Sequence, residues 1–232
     1  MSEKTRLQTI IDIVAASVRE GITTMELEEQ AVRLMSFYKV EPAFKGYLLQ
    51  EAKSSYPFVS CISIDNEVIH GLPSNRKIEE GNVVKVDIGI IEDGQYDDGA
   101  TTVLVGHCSA VARRLFKATQ EALEAGIKAA KAGNTTHDIA KAIQAIAERE
   151  EFGVVEGYSG HGIGEKLHME PSIPNRVEGE PIKLKSGMRI CLEPMFSSKK
   201  GNGRVYTDAN GWTVKLVNGG LAAHFEKSIM IE

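Results

Sequence analysis

The chain has 232 residues, of which 42% are hydrophobic and 25% charged, a composition typical of a globular protein with a sizeable core. Its formal net charge of −5 argues against nucleic acid as the main ligand. Three cysteines without a C-x-x-C pair indicate reduced thiols, and the first residues contain no signal sequence or membrane span. We therefore expect a cytoplasmic protein with no membrane partner.

The first half of the chain is predicted to form two helices followed by strands. Apolar side chains at helical spacing predict a helix over 5–19 that is closed by Gly21, and Thr23 or Thr24 is the expected N-cap of a second helix. Short β-branched runs then predict strands of an antiparallel sheet: FVSCISI (58–64), EVIHGLP (67–73), VVKVDIGII (83–91) and YDDGATTVLVG (96–106).

The second half repeats this order. A long helix over 110–132 and a capped helix over about 136–149 are followed by further predicted strands: YSGHGIG (158–164), GMRICLEPMF (187–196), WTVKLVNGG (212–220) and HFEKSIMIE (224–232). The motifs Gly-Ile-Thr-Thr at 21–24 and Gly-Asn-Thr-Thr at 133–136 open the second helix of each half, 112 residues apart. We predict an α+β fold with internal pseudo-twofold symmetry, in which halves of about 1–107 and 108–232 form one compact domain over 1–232.

Possible metal ligands lie in short apolar or glycine-rich runs that are predicted strands. They are Asp87, Asp98, His161, Glu193 and Glu226. Four carboxylates facing one cavity would repel one another, and two divalent cations would cancel that charge. One imidazole with four carboxylates suits a pair of first-row metals that activate water, so the set predicts a hydrolase.

The expected strand register selects Asp98 over its neighbour Asp97. A two-residue loop at Asp93–Gly94 places Asp87 opposite Ala100. Asp98 then lies on the face that carries Asp87, and Asp97 lies on the other face. A β-bulge would reverse this choice.

The histidines differ in what surrounds them. His161 lies between Gly160 and Gly162, which allow a close approach of the backbone to a ligand. His70 precedes a glycine at a strand end, and His168 follows His161 by seven residues. On spacing alone, a turn or surface position explains these two equally well. The remaining histidines are interpreted as surface or structural residues: His107, His137 and His224.

Taken together, several of these runs resemble a known family. NEVIHGLP, VDIGIIEDGQYDDGATTVLVG, GHGIGEKLHMEP, ICLEPMF and GWTVKL…HFEKS are similar, in order and spacing, to the motifs of type I methionine aminopeptidases. The resemblance covers most of the chain. It implies the duplicated "pita-bread" fold, an antiparallel sheet covered by two pairs of helices. Any one motif is shared with proline dipeptidases and aminopeptidase P.

The resemblance implies a role for each site residue. The five donors would hold two divalent cations, Co, Mn, Fe or Zn, with Asp98 and Glu226 bridging them. The enzyme would remove the initiator methionine from nascent proteins, by attack of a dimetal-bound water on the first peptide bond. Glu193 would act as general base, His168 would stabilise the oxyanion and His70 would contact the scissile amide. The pocket for the first side chain would be lined by Tyr56, Cys61 and Trp212.

Two alternatives stay open at this point. A proline-specific aminopeptidase or dipeptidase of the same fold is favoured if the pocket takes proline better than methionine. A binding protein that has lost catalysis is expected to have lost metal ligands, and all five are present here. Leu167 stands where the family commonly has an aromatic residue, which bears on the selectivity of the pocket. We expect a monomer whose partners are nascent polypeptide N-termini at the ribosome.

Overall fold

The computed structural model describes residues 4–48, 54–201 and 203–232. The helices are α1 (Arg6–Ser17), α2 (Thr24–Tyr38), α3 (Ala110–Ala129) and α4 (Thr136–Arg149). The strands are β1 (Glu41–Pro42), β2 (Ser60–Ile64), β3 (Glu67–Ile69), β4 (Val83–Glu92), β5 (Gln95–Leu104), β6 (Gly153–Val154), β7 (Ser159–Gly162), β8 (Met169–Pro174), β9 (Arg189–Leu192), β10 (Met195–Ser197), β11 (Val205–Thr207), β12 (Val214–Leu216), β13 (Ala222–His224) and β14 (Glu226–Met230). Within the described ranges, no helix is long and apolar enough to cross a membrane.

The predicted N-cap of α2 is present, but α1 does not end where it was predicted to end. Thr23 is the N-cap of α2, because its hydroxyl accepts the backbone N–H of Glu26 while the Glu26 carboxylate accepts the N–H of Thr23. Helix α1 ends at Ser17, so the prediction that it runs to 19 is wrong. The chain leaves the helix early because the N–H of Gly21 turns to the carbonyl of Ile78, 2.8 Å away.

The main sheet carries the strands that were predicted to bear metal ligands. Its strand order is β1-β4-β5-β14-β9-β7-β8, and β2 also pairs with β4. The β4–β5 hairpin keeps a continuous antiparallel register through the turn at Asp93–Gly94, with Asp87 opposite Ala100 as predicted. Strand β14 lies in the centre of the sheet, between one strand from each half.

Two of the predicted strands in the second half are broken. The run 187–196 divides into β9 and β10 around Glu193 and Pro194, because proline has no N–H to continue a ladder. The run 224–232 divides at Phe225 into β13 and β14. The run 212–220 contributes only β12, in a separate small sheet with β3 and β11, and β8 is a strand that the sequence patterns did not predict.

The helices pack on one face of the main sheet. In the first half, alternate side chains of β4 (Val84, Val86, Ile88 and Ile90) join a buried cluster with residues of α1 and α2. In the second half, residues of α3 and α4 pack against β9 and β10. The intervening side chains of β4 face the opposite way, so Asp87 is on the face that the helices leave free.

Candidate metal centre and active site

A cavity of about 400 Å³ lies on the free face of the main sheet. Its lining includes every residue that the sequence predicted for the site: Tyr56, Cys61, His70, Asp87, Asp98, His161, His168, Glu193, Trp212 and Glu226. These residues come from both halves and are separated by up to 170 positions in sequence. The structure therefore brings the predicted residues together, while their individual roles stay predictions.

The first group of donors comprises Asp87, Asp98 and Glu226. One ligand oxygen of each carboxylate lies within 4.8 Å of the others. Asp87 and Asp98 belong to the two arms of one hairpin, and Glu226 begins β14 opposite Ala100. Asp97 instead forms an ion pair with Arg189 at 3.6 Å. The register argument that selected Asp98 is consistent with this placement.

The second group of donors comprises His161, Cys191 and Glu226, again with ligand atoms within 4.8 Å of one another. The Nε2 atom of His161 is 3.9 Å from Glu193 Oε1 and 3.9 Å from Glu226 Oε1. Glu226 thus belongs to both groups and lies between two possible cation positions. Its thiol neighbour, Cys191, donates to Glu226 Oε1 at 3.0 Å.

The glycines beside His161 are required by close backbone packing. A Cβ atom on Gly160 would collide with the carbonyl oxygen of Cys191, and one on Gly162 would collide with that of Glu170. His161 is paired with Cys191 across β7 and β9, and its Nδ1 contacts the carbonyl of Gly162 at 3.0 Å. This contact is consistent with a tautomer that leaves the Nε2 lone pair facing the glutamates.

The four carboxyl groups are strongly perturbed by burial. Burial raises the pKa of Asp87 to about 7. It raises the pKa of Asp98 and of Glu226 well above the ordinary range, and the negative charges of their neighbours add to the effect. Burial and the charge of Asp87 likewise raise the pKa of Glu193. Four such groups cannot all ionise in one cavity without a compensating positive charge.

A divalent metal fits this donor set. Asp87 Oδ1 is fully buried and has no hydrogen-bond partner, which is costly for a carboxylate oxygen unless a cation binds it. Oxygen donors with one imidazole suit first-row divalent ions. The residues present therefore match the chemistry of a metal centre.

His168 lies beside the donors, held by a residue that the sequence did not single out. Its Nδ1 is 2.6 Å from the hydroxyl of Tyr47, and its ring centroid is 4.4 Å from that of His161. Burial, with the two other nearby histidines, lowers the pKa of His168 to about 3. The ring is therefore neutral at physiological pH, and when Tyr47 donates to Nδ1 the opposite nitrogen carries the proton.

His70 has a strained backbone at the end of β3. Its φ of 58° is in the left-handed region, which costs a non-glycine residue about 1 kcal/mol or more. Burial lowers the pKa of its imidazole to about 4. The ring lies edge-on to Tyr158 and Trp212, with centroids 6.1 Å and 6.3 Å away. Strain of this kind is common where a side chain must be directed into a site.

The remaining wall of the cavity is apolar. Tyr56 and Trp212 are in edge-to-face contact with ring centroids 5.0 Å apart, and they share a buried cluster with Cys61, Leu167 and Phe44. The Tyr56 hydroxyl is satisfied by donation towards the carbonyls of Ser60 and Gly71. The aromatic ring of Tyr56 therefore presents an apolar surface to the cavity.

The sequence interpretation missed three residues that contact or face the predicted site residues: Tyr47, Cys191 and His224. Tyr47 carries no pattern that could have identified it. Cys191 could have been found, because it lies two positions before Glu193 on a strand and so shares its face. His224 was interpreted as a surface or structural residue, yet it is buried and lines the cavity, two positions before Glu226.

Comparison with known proteins assigns the fold and the site to a class. Residues 6–232 match the model of metallopeptidase family M24, and the chain belongs to this family. A methionine aminopeptidase from Aquifex aeolicus is 42% identical over 226 residues, which cover 96% of this chain and 87% of that protein. The crystal structure of a methionine aminopeptidase from Thermotoga maritima has a TM-score of 0.91 at 36% identity, covering 97% of this chain and 88% of that one. The predicted resemblance to methionine aminopeptidases is confirmed.

A prolidase from Pyrococcus furiosus shares the fold at greater distance. Its TM-score is 0.72 at 21% identity, covering 97% of this chain and 58% of that chain. At this identity the likeness concerns the fold alone. The predicted α+β pita-bread fold is confirmed, and the proline-specific alternative has the more distant relatives.

Proposed function

We propose that this chain removes the N-terminal methionine from nascent proteins, using two divalent cations held by the five predicted donors. The observation that carries the proposal is the position of Glu226, whose carboxylate belongs to both donor groups. The apolar wall with Tyr56 and Trp212 lies in the same cavity. A peptide bond next to an apolar first residue could reach both regions at once.

Each donor has an assigned place in this proposal. Asp87 would hold one cation, His161 and Glu193 would hold the other, and Asp98 and Glu226 would be shared between them. Such cations lower the pKa of water towards neutrality and polarise the scissile carbonyl. Which of the cations Co, Mn, Fe or Zn occupies the site depends on metal availability in the cell as well as on affinity.

The protein's own groups would then move the proton and stabilise charge. Glu193 is the proposed general base, because its carboxylate lines the cavity beside the other donors. His168 is neutral and can donate from the nitrogen opposite Tyr47 to the developing oxyanion. Such a donor lowers the activation free energy by about 3 kcal/mol. His70, which follows β3, would contact the scissile amide.

The pocket supports an unbranched thioether side chain as the first residue of the substrate. Methionine is flexible and polarizable, and it makes favourable contacts with aromatic rings and sulfur. Tyr56, Trp212 and Cys61 provide such a surface. Leu167 is buried in the same cluster and replaces the expected aromatic residue without opening the wall.

We further propose that residues 1–232 act as one catalytic domain, in the cytoplasm and as a monomer, on polypeptide N-termini that emerge from the ribosome. The net negative charge supports a polypeptide rather than a nucleic acid as the partner. Three buried free thiols support a reducing compartment.

The test compares Asp98→Asn with the matched control Asp97→Asn. We expect the wild-type enzyme to cleave a Met-Ala-Ser peptide and to leave an Ala-Pro peptide intact. Asp98→Asn should lose bound metal and lower Met-Ala-Ser hydrolysis by more than about 100-fold, because a shared ligand is removed. Asp97→Asn should keep both, since its partner is Arg189.

Elemental analysis and peptide hydrolysis measure the two effects on the same samples. Loss of metal and activity with Asp97→Asn alone would contradict the assignment of ligands. Cleavage of the Ala-Pro peptide alone would contradict the proposed substrate and favour a proline-specific peptidase.

A further inference from the structure

The pairing between β5 and β14 stops beside a proposed metal ligand. Among the residues that the structure describes, this pairing ends with Lys227 opposite Gly99, and the next pair in the same register would be Ser228 with Asp98. On its other edge, β14 stays paired with β9 through Ser228 and beyond. Asp98 is 4% exposed, so its main-chain N–H and carbonyl need partners other than this ladder.

A side chain takes the place of the missing ladder bonds. The N–H of Asp98 donates to the Ser228 hydroxyl at 3.1 Å, and the same hydroxyl donates to the carbonyl of Asp98 at 2.9 Å. A hydroxyl can do both, because it has one donor hydrogen and two acceptor lone pairs. In a hydrogen-bonded pair of an antiparallel ladder, the main chain of the opposite residue would bind these two groups. Ser228 thus holds the main chain of Asp98 at both of its polar groups.

The Asp98 carboxylate is oriented by this piece of main chain. Its Oδ1 accepts the N–H of Gly99 at 2.9 Å. The direction of the carboxylate therefore depends on where the main chain of residues 98 and 99 lies. Groups in a functional site must be held within about 0.5 Å of their productive positions. A shift of the main chain here would move the oxygens that face Asp87 and Glu226.

The same hydroxyl is connected to the second proposed shared ligand. Ser228 is opposite Cys191 across β9 and β14, and its Oγ is 3.3 Å from the Cys191 sulfur. The Cys191 thiol in turn donates to Glu226 Oε1 at 3.0 Å. A continuous chain of contacts therefore runs from the main chain of Asp98, through Ser228 and Cys191, to the carboxylate of Glu226.

We propose that Ser228 is a positioning residue of the metal centre, whose hydroxyl keeps Asp98 and Glu226 at the spacing that a pair of cations requires. The inference rests on the proposed function, which makes these two residues the ligands shared by both cations. Ser228 does not itself bind a cation, because its hydroxyl is used by the main chain of Asp98. Replacing a residue that orients metal ligands typically lowers metal affinity or activity by about 10–100-fold.

The experiment compares three replacements in the full chain: Ser228→Ala, Ser228→Val and Ser228→Thr. Valine and threonine have the same shape, and only threonine keeps the hydroxyl. Ser228→Ala and Ser228→Val should weaken cobalt(II) binding about tenfold or more in a calorimetric titration, and they should lower kcat for a Met-Ala-Ser peptide by a similar factor. Ser228→Thr should stay close to the wild type in both measurements. KM should change little in all three variants, since the wall with Tyr56 and Trp212 is untouched.

The matched control is Ser198→Ala. The Ser198 hydroxyl accepts the N–H of Leu221 at 2.9 Å, and neither residue lines the cavity. Ser198→Ala and Ser228→Ala both remove an acceptor from a main-chain N–H. Thermal unfolding of the metal-free proteins should therefore show similar losses of stability. Only Ser228→Ala should weaken cobalt binding.

Each outcome decides the inference. Cobalt binding that is weakened in Ser228→Val or Ser228→Ala and kept in Ser228→Thr would support it. Equal cobalt affinity in the valine and threonine variants would overturn it, because the hydroxyl would then have no effect on the centre. An equal loss of affinity in Ser198→Ala and Ser228→Ala would also overturn it, because the loss would then follow from stability alone. If the wild-type protein bound no cobalt at all, the proposed function itself would fail, so the two failures are distinguishable.

Discussion

The two halves of the molecule share a backbone frame and differ in the side chains attached to it. In the first half, the N–H of Gly21 donates to the carbonyl of Ile78 at 2.8 Å. In the second half, the N–H of Gly133 donates to the carbonyl of Leu184 at 3.0 Å. In each half this contact lies between the start of the second helix and the segment before β4 or β9. The duplication inferred from a four-residue motif is therefore present in the hydrogen bonding.

The shared frame explains why two of the donors lie where they do. Asp87 is nine positions after Ile78, and Glu193 is nine positions after Leu184. The two residues thus occupy corresponding places in the two halves, and both line one cavity. Symmetry accounts for the position of the carboxylates.

Symmetry does not account for the neighbouring strands. Across the β4–β5 pair, Asp87 is opposite Ala100. In the second half, the β9–β14 register continued by one residue places Glu226 opposite Glu193. One half therefore has a small apolar residue where the other has the carboxylate that joins both donor groups. Both halves line the cavity, and they differ at the position of the carboxylate that joins the donor groups.

The largest expected effect comes from making the halves alike at this position. Glu226→Ala gives the second half the residue that the first half has, and it removes the carboxylate common to both donor groups. We expect loss of bound metal and a fall in Met-peptide hydrolysis of more than about 100-fold. Elemental analysis and a peptide assay measure the two effects.

Glu124→Gln, on the exposed face of α3, is the control for the loss of one negative charge. Wild-type metal content in Glu226→Ala would mean that the two donor groups do not depend on a shared residue. The difference between Ala100 and Glu226 would then have no effect on metal binding.

A second difference between the halves is a buried carboxylate on α2 that affects stability. Glu28 on α2 accepts the N–H groups of Val59 and Ser60 at 2.8 Å and 2.9 Å, and the Ser60 hydroxyl at 2.6 Å. The residue 112 positions later, on α4, is Ala140. We expect Glu28→Gln to lower the free energy of unfolding by about 1–3 kcal/mol, because buried N–H groups lose acceptors.

Denaturant unfolding of the metal-free protein measures this change. Glu29→Gln is the control, since Glu29 is exposed and its ion pair with Arg33 is 3.8 Å long. Equal stability of the two variants would show that the first half does not depend on this buried carboxylate.

The smallest expected effect concerns a feature that the two halves share, the N-cap threonines of α2 and α4. The Thr23 hydroxyl donates to Glu26 Oε2 at 2.8 Å, and the Thr135 hydroxyl donates to Asp138 Oδ2 at 2.7 Å. Replacing either threonine by alanine should cost about 1 kcal/mol of stability, and the two costs should agree. Thermal unfolding of the two single variants and the double variant checks this. A much larger loss of stability in one half would mean that the two capping threonines do not contribute equally to the free energy of unfolding.

Much of this architecture could be predicted because it depends on local chemistry. Thr23 marks the start of α2, and Asp93–Gly94 sets a register that runs the length of the β4–β5 hairpin. That register placed Asp98 correctly on the face of Asp87. Amphipathic spacing and turn chemistry act over a few residues, so the sequence displays them directly.

What could not be predicted depends on contacts between distant segments. The end of α1 is set by Ile78, and the break after His224 follows from the way β13 pairs with β10 while β14 enters the main sheet. Tyr47 reaches His168 from 121 positions away. His224 lies two positions before Glu226, but the break at Phe225 puts the two residues on different strands, so strand alternation alone does not place the side chain of His224.

The central place of β14 links the main sheet to the donor groups. The strands β4 and β5 of the first half pair with each other, and so do β7 and β9 of the second. In the residues that the structure describes, the two portions of the main sheet meet through β14, which pairs with β5 on one edge and β9 on the other. Because this strand begins at Glu226, the carboxylate that joins the donor groups lies on the strand that joins the sheet. In the folded protein, the strand that joins the two portions of the sheet therefore also joins the two donor groups.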